Sequence, residues 1–217
     1  YGQGTPLVMI MGYGSTMNLW EEGLLKELAS HFQVIVFDNR GMGGTEAGER
    51  EFSIEQFADD TAGLIDALGL GRAHILGWSM GAMIAQELAR RHPDKVDKLV
   101  LYAAHCNAEL YPPAPEVLRM LTDTSGTQEE QGMRFISLLF PQEWLQGHGE
   151  RLKEIFFRPM GEISPQILAR QSQAISAWKS GCDSLDRISN STLIIAGEAA
   201  VLVPPQNSRY LAGKMPR

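Results

Sequence analysis

Apolar residues are concentrated in five short runs along the chain, and each run is followed by glycine or by a polar residue. The runs cover residues 7–11, 34–37, 73–78, 96–104 and 192–196. Short, nearly continuous apolar runs of this kind are typical of strands that are buried on both faces of a sheet. The pattern therefore predicts five strands.

Amphipathic segments with helical spacing separate the first four runs. They cover residues 18–30, 53–68 and 80–91. Ser53, followed three residues later by Gln56, predicts a capped start for the second helix, and Pro93 cannot continue the third. Because strands and helices alternate in this order, we predict βαβ units and an α/β fold, in which helices flank a parallel sheet.

The alternation stops between residues 107 and 189. This segment opens with a cluster of prolines and then contains two amphipathic pieces, at residues 133–140 and 165–178. We interpret residues 107–189 as a helical insertion between two strands of one sheet, whose core is made of residues 1–106 and 190–217. A separate second domain is the alternative, although it would be small for independent stability.

Length and charge narrow the classes of partner. The 217 residues fit one domain. There are 26 Asp and Glu against 19 Lys and Arg, a net charge of −7, which argues against a nucleic-acid partner because such a protein needs a basic face. No apolar run approaches the length that spans a bilayer, so we expect no membrane partner. The oligomeric state stays open.

The sequence contains two cysteines, Cys106 and Cys182. Two cysteines so far apart make neither a disulfide framework nor a zinc site of the usual spacing. We expect both to be buried free thiols in a reducing compartment, which favours the cytoplasm as the location of the protein.

The strongest local motif is Gly77-Trp78-Ser79-Met80-Gly81, which matches the G-x-S-x-G pattern between a predicted strand and a predicted helix. A strand that turns sharply into a helix strains the residue at the turn, and side chains two positions away on either side would clash. The turn would expose the Ser79 hydroxyl at a helix N-terminus, as a nucleophile requires. The alternative is an ordinary strand–helix connection with an incidental serine.

Acyl transfer also requires donors for the oxyanion. We predict the backbone N–H of Met80, the residue after the nucleophile, and the backbone N–H of Tyr13 in the glycine-containing loop after the first strand. Gly12, Trp78 and His105 are candidate pocket residues beside them. No phosphate-binding loop pattern appears in the chain, so we set nucleotide binding aside.

With these motifs the chain resembles the α/β-hydrolase family over nearly its whole length. The resemblance rests on residues 11–14, 38–43, 77–81 and 204–205. It implies a cap-bearing, esterase-like member with Ser79 as nucleophile, in which residues 107–189 form a helical cap, or lid, over the active site. No metal or organic cofactor is implied. The resemblance also implies that Asp38 and Arg40 are structural residues that hold the loop beside the pocket.

The chain departs from the family pattern at two places. The acid is expected in the turn after the last strand, where this sequence has Ala200. The histidine base is expected after one more helix and strand, beyond Arg217, and the family's first antiparallel strands would precede Tyr1. The chain is therefore a fragment of a longer enzyme, carries a lesion at Ala200, or is a degenerate hydrolase that binds without turnover.

The residues present could in principle replace the missing acid and base. Among the five histidines, His105 follows the fourth strand on the same sheet edge as Ser79, and we interpret it as pocket-lining rather than as the base. Glu109 and Glu198 are candidate acids, although an exposed surface carboxylate is the simpler interpretation of each.

We therefore expect a hydrolase that acts on a small apolar ester-type substrate through a Ser79 acyl-enzyme, with the base supplied from beyond the C-terminal end. Three alternatives stay open on this fold. They are a catalytically impaired or non-catalytic protein that binds a small molecule, a C–C bond hydrolase, and a cofactor-free perhydrolase.

Overall fold

A computed structural model describes residues 1–123, 125–156, 164–179 and 181–216. Its five strands are β1 (Pro6–Ile10), β2 (Gln33–Val36), β3 (Ala73–Trp78), β4 (Val96–Tyr102) and β5 (Thr192–Ile195). Every neighbouring pair is parallel, and the order across the sheet is β2-β1-β3-β4-β5. The predicted parallel α/β sheet is confirmed.

The helices lie between and after these strands. They are α1 (Glu22–Ala29), α2 (Ile54–Ala67), α3 (Met80–Arg91), α4 (Pro115–Thr122), α5 (Gln128–Leu139), α6 (Gln142–Phe156), α7 (Pro165–Ala177) and α8 (Pro205–Lys214). Short 3-10 turns occur at Met17–Leu19, Pro93–Lys95 and Cys182–Arg187. Helices α4 to α7 all lie between β4 and β5. Their role as a cap, and its limits at residues 107 and 189, stay a prediction.

Strand β1 lies inside the sheet and is buried on both faces. Val8 and Ile10 belong to a core cluster that includes residues of α2 and α3, whereas Leu7 and Met9 belong to a second cluster with Trp20 before α1. This alternation follows from the two-residue period of a strand, which sends successive side chains to opposite faces. Helices therefore cover both faces of the sheet, as the continuous apolar runs predict.

The start of α2 confirms the predicted N-cap at Ser53. The Ser53 hydroxyl accepts a hydrogen bond from the backbone N–H of Gln56 at 3.0 Å. The Gln56 amide does not return the bond to Ser53 but donates to Asp60 at 2.9 Å. The serine thus satisfies one of the free donors of the first turn, as an N-cap residue does.

The prediction of free thiols is wrong. Cys106 and Cys182 form a disulfide across a sequence separation of 76 residues. Cys106 follows β4, and Cys182 begins the 3-10 turn that leads toward β5, so the bond joins the two ends of the helical segment. Spacing along the sequence does not predict this pairing, because whether two distant cysteines meet depends on how the intervening chain folds.

In the described part of the chain, no helix is both long enough and apolar enough to cross a membrane.

Candidate active site

Ser79 occupies a sharp turn between β3 and α3. Its backbone angles are φ 57° and ψ −119°, a region that residues with a Cβ rarely enter. The turn is held from both sides, because the Ser79 N–H donates to the carbonyl of Tyr102 at 2.9 Å and the Ser79 carbonyl accepts from Ala82 N–H at 2.8 Å. The strand, strained turn and helix that the motif predicts are therefore all present.

The two glycines of the motif lie where backbone segments approach each other closely. A Cβ on Gly77 would lie 2.2 Å from the carbonyl oxygen of Gly81, and a Cβ on Gly81 would lie 2.1 Å from the carbonyl oxygen of Ile10. Because the obstructing atoms belong to the backbone, no side-chain rotation could relieve either clash. The glycines are thus required by packing at the turn.

The loop after β1 lies directly against Ser79. A Cβ on Gly12 would be 3.2 Å from the Cβ of Ser79 and 3.1 Å from the carbonyl oxygen of Trp78. Tyr13, the next residue, is half-buried, and burial raises the pKa of its phenol. The structure therefore brings the predicted pocket residues Gly12 and Trp78 together with Ser79, and Tyr13 follows Gly12 in the same loop.

Met80 and Trp78, the two neighbours of Ser79, have different surroundings. Met80 is buried as the first residue of α3. The N–H groups in the first turn of a helix have no intrahelical acceptor and carry partial positive charge. The Trp78 ring is half-buried, with its centroid 6.5 Å from that of Tyr102 and 6.4 Å from that of Trp20. Ser79 therefore stands at a helix N-terminus, directly after a tryptophan whose ring contacts two other aromatic residues.

The segment after β2 holds this loop in place. Asp38 accepts hydrogen bonds from the backbone N–H groups of Met17, at 2.7 Å, and Gly44, at 3.1 Å. The Asn39 amide donates to the carbonyl of Met11 at 2.9 Å. These contacts confirm that Asp38 has a structural role.

Arg40, two residues after Asp38, is also structural. Its guanidinium forms a two-pronged ion pair with Asp60 of α2, in which Nε donates to Oδ2 at 2.7 Å. It also donates to the carbonyl of Ala47 at 2.9 Å. Because a guanidinium matches a carboxylate with two parallel bonds, the loop after β2 is tied to α2. The predicted role of Arg40 is confirmed.

Helix α7, which lies in the predicted insertion, packs onto the same loops. The family resemblance implies a cap over the site, but none of the individual contacts of α7 was predicted. The backbone N–H of Gly14 donates to the side-chain oxygen of Gln171 at 2.9 Å. A Cβ on Gly14 would lie 3.1 Å from Leu168, and a Cβ on Gly41 would lie 2.9 Å from Ile167. The segment between β4 and β5 therefore contacts the loops beside Ser79. A glutamine in an amphipathic helix carries no sequence signal for such a contact.

His105 lies after β4, as predicted, in partly buried surroundings. Its ring centroid is 6.2 Å from that of Trp178, and its buried Nδ1 has no hydrogen-bond partner among the described residues. Burial lowers the pKa of His105 to about 4, because desolvation disfavours the charged imidazolium. No hydrogen bond within the described ranges joins it to Ser79. A neutral, weakly basic imidazole fits a pocket wall better than a general base.

The turn after β5 contains the position where the family pattern expects an acid. The Ala200 N–H donates to the Gly197 carbonyl at 3.2 Å, so the turn is formed, but it presents a methyl group. Glu198 is exposed in that turn. Glu109, the other candidate acid, is exposed and lies 3.8 Å from the ammonium of Lys179. The exposure of both carboxylates, together with the ion pair between Glu109 and Lys179, favours the simpler interpretation of the two as surface groups.

A cavity of about 600 Å³ lies away from the Ser79 turn, between α1 and the start of the described chain. Tyr1, Trp20, Leu25 and Val36 contribute to its lining, and none of the motif residues does. We therefore place the candidate site at the Ser79 turn, because of the chemistry of the motif, and not at this cavity.

Comparison with known proteins agrees with this architecture. The sequence model of the alpha/beta hydrolase fold family matches residues 5–217. A protein of Caulobacter sp. (strain K31) named "Putative carbamate hydrolase RutD" is 29% identical over 97% of this chain and 78% of its own length.

Two solved structures are also similar. A hydrolase from Pseudomonas aeruginosa PA01 superposes with a TM-score of 0.82 at 25% identity, over 99% of this chain and 80% of its own. A thermophilic esterase from Thermogutta terrifontis gives a TM-score of 0.81 at 25% identity, over 99% of this chain and 79% of its own. The chain belongs to the alpha/beta hydrolase fold family.

Proposed function

We propose that the protein is a serine hydrolase of carboxylesterase type, with Ser79 as the nucleophile. The observation that carries the proposal is the strained backbone of Ser79 (φ 57°) at a helix N-terminus, with the Gly12 loop packed against it. Strain of this size, of the order of 1–3 kcal/mol, persists where the surrounding structure enforces it and is concentrated at functional sites.

In the proposed reaction the Ser79 oxygen attacks the carbonyl carbon of an ester while its proton passes to a histidine. The backbone N–H groups of Met80 and Tyr13 hold the resulting oxyanion. Collapse of the tetrahedral intermediate expels the alcohol, which takes the proton from the histidine, and leaves an acyl-Ser79 ester. Water, deprotonated by the same histidine, then releases the acid and restores Ser79. We expect this histidine beyond residue 217.

The proposed substrate is a small, largely apolar ester. Trp78 precedes Ser79, Tyr13 follows the Gly12 that packs against Ser79, and α7 contacts Gly14 in the same loop. Aromatic and aliphatic walls with a few polar groups are typical of small-molecule pockets. We propose that the segment 107–189 acts as the cap over this site. The names of the relatives, a carbamate hydrolase and an esterase, support attack on an acyl carbon that bears a heteroatom leaving group.

A second candidate is a small-molecule binding protein that does not turn over its ligand. The observation that favours it is Ala200, a methyl group in the turn where the acid is expected. Without a carboxylate that orients the histidine, triad enzymes lose a factor of about 10⁴ in rate. The two candidates share the fold and the pocket, and they differ in whether Ser79 becomes acylated.

The test is rapid-quench mass spectrometry of the full-length protein, which must carry the proposed histidine, during reaction with p-nitrophenyl butyrate. The proposal predicts a butyryl adduct on the peptide that contains Ser79, together with a burst of p-nitrophenol. Ser79→Ala should abolish both, whereas Ser172→Ala, at an exposed serine of α7, should change neither. Release of p-nitrophenol without an adduct, or equal loss in both variants, would contradict the proposed mechanism.

A cytoplasmic location stays a prediction. The Cys106–Cys182 bond removes the free-thiol argument for it, because disulfides persist chiefly in oxidising compartments. Alkylation of intact cells with a membrane-permeant thiol reagent, before lysis, would decide whether these cysteines are bonded where the protein works.

A further inference from the structure

The side chain of Gln171 in α7 is fully buried, and its orientation is fixed by a backbone group. Its Oε1 accepts the hydrogen bond from Gly14 N–H at 2.9 Å. A backbone N–H can only donate, so the amide oxygen and not the amide nitrogen must face Gly14. The position of the Gln171 NH₂ group therefore follows from chemistry.

Nε2 of Gln171 is buried and makes no hydrogen bond within the described part of the chain. A buried donor left unpaired costs about 1–3 kcal/mol, and most buried polar groups of folded proteins are paired with protein or with ordered water. An unpaired amide at full burial therefore points to a missing acceptor.

Gln171 is joined to the candidate active site through the loop after β1. Gly14, its anchor, is two residues from Gly12, which packs against Ser79. Leu168, one turn earlier on α7, lies over the same glycine. In such apolar surroundings a hydrogen bond to a ligand is stronger than it would be in water.

The unpaired donor, Nε2 of Gln171, carries no charge. Arg170, the neighbouring residue, is engaged elsewhere, since its guanidinium lies 3.8 Å above the ring of Phe52 and donates to the carbonyl of Arg50. An amide N–H suits a neutral carbonyl oxygen, whereas a buried carboxylate without a cation would be costly.

We propose that Gln171 is a substrate-binding residue whose Nε2 donates to a second carbonyl oxygen of the substrate, distinct from the oxygen of the ester under attack. The hydrogen bond from Gly14 N–H to Oε1 holds the side-chain amide in the orientation that this contact needs. The inference rests on the proposed function and narrows its substrate class to small esters that carry an additional keto or similar carbonyl group. Gln171 would thus determine specificity from the segment between β4 and β5.

The test measures binding rather than turnover, in a Ser79→Ala background, so that esters stay intact. The ligands are methyl levulinate and its one-carbon-longer keto homologue, compared with methyl valerate, which lacks the keto oxygen. Dissociation constants come from ligand-observed NMR. The variants are Gln171→Leu, which removes both polar atoms, and Gln171→Glu, which retains an acceptor for Gly14 but loses the donor.

We expect Gln171→Leu and Gln171→Glu to weaken binding of at least one keto ester about tenfold, as loss of one buried hydrogen bond implies. Binding of methyl valerate should stay within about twofold. Gln173→Leu, at an exposed glutamine of the same helix, should change neither ligand. Thermal unfolding of each variant verifies folding, and Gln171→Met replaces Gln171→Leu if the latter does not fold.

Equal effects on keto and plain esters, or no effect on either, would overturn the inference and assign the unpaired amide to a buried water. Failure of every keto ester to bind would overturn it as well. Labelling of the full-length protein without substitutions, with a fluorophosphonate, reports separately on Ser79. A Ser79 adduct without dependence on Gln171 refutes this inference alone, whereas dependence on Gln171 without an adduct refutes the proposed function alone.

Discussion

The backbone of Gly81 lies directly against the carbonyl oxygen of Ile10, so closely that a Cβ on Gly81 would stand 2.1 Å from that oxygen. Ile10 ends β1, and Gly81 is in the first turn of α3. The contact therefore sets the distance between α3, which follows Ser79, and the loop that begins after Ile10. Both parts of the candidate site depend on it.

Gly81→Ala should destabilise the protein by more than about 3 kcal/mol, because the added methyl group meets backbone atoms and forces the helix away from the sheet. Urea denaturation measures the loss. The matched control is Gly63→Ala inside α2, where an added Cβ meets nothing within 4 Å. We expect that variant to gain about 0.5–1 kcal/mol from helix propensity. Equal stability of the two variants would contradict the close contact.

Ser79→Gly should stabilise the chain while it removes the proposed nucleophile. At φ 57° and ψ −119°, glycine relieves backbone strain of about 1–3 kcal/mol, and part of this gain is offset by the greater freedom of glycine in the unfolded chain. We expect a net gain of about 1 kcal/mol in the free energy of unfolding. Ser79→Ala retains a Cβ and should show no such gain, so a similar gain in both variants would argue against strain at this residue.

His105 should make stability depend on pH. Burial lowers its pKa from 6.5 to about 4, so the unfolded chain takes up a proton below about pH 6.5 while the folded chain does so only near pH 4. The contribution of His105 to the free energy of unfolding is therefore fully present above pH 6.5 and is lost as the pH falls toward 4. The loss at pH 5 is about 2 kcal/mol.

Denaturation of the native chain and of His105→Gln at pH 7 and pH 5 tests this expectation. Other groups that titrate in this range affect both proteins alike, so the informative quantity is the difference between the two losses. We expect the variant to lose about 2 kcal/mol less than the native chain. The same loss in both would mean that His105 is not protected from protonation by the fold.

Reduction of the Cys106–Cys182 bond should lower stability. The bond closes a loop across 76 residues, and loops of this length correspond to about 4 kcal/mol in the chain-entropy account of disulfides. We expect dithiothreitol to lower the denaturation midpoint of the native chain and to leave that of a Cys106→Ala, Cys182→Ala double variant unchanged. Rapid labelling of both cysteines by iodoacetamide in the unreduced, denatured protein would show that the bond is absent.

Periodicity and local motifs predict the core well, because strands and capped helices are set largely by neighbouring residues. The third helix is predicted at residues 80–91 and observed as Met80–Arg91. The G-x-S-x-G pattern locates the strained turn at Ser79 for the same reason, since the strand before it and the helix after it are both encoded locally.

Contacts between distant segments are harder to predict. The Gly14–Gln171 hydrogen bond joins residues 157 positions apart, and the Cys106–Cys182 bond depends on how the helical segment folds back onto the sheet. Neither spacing nor residue type distinguishes these side chains from ordinary polar or buried ones. The sequence therefore predicts the Ser79 turn and an amphipathic segment at residues 165–178, but not the individual contacts by which α7 packs onto the loops.

The most direct test of the central claim is covalent labelling with a fluorophosphonate, which reacts with serines that are activated as nucleophiles. Intact mass of the full-length protein, which must carry the proposed histidine, is measured before and after treatment, and peptide mapping then reports whether and where an adduct forms. We predict a single adduct on Ser79, lost in Ser79→Ala and retained in Ser172→Ala. A folded protein that takes up no adduct, or takes it up at another residue, would contradict Ser79 as the nucleophile.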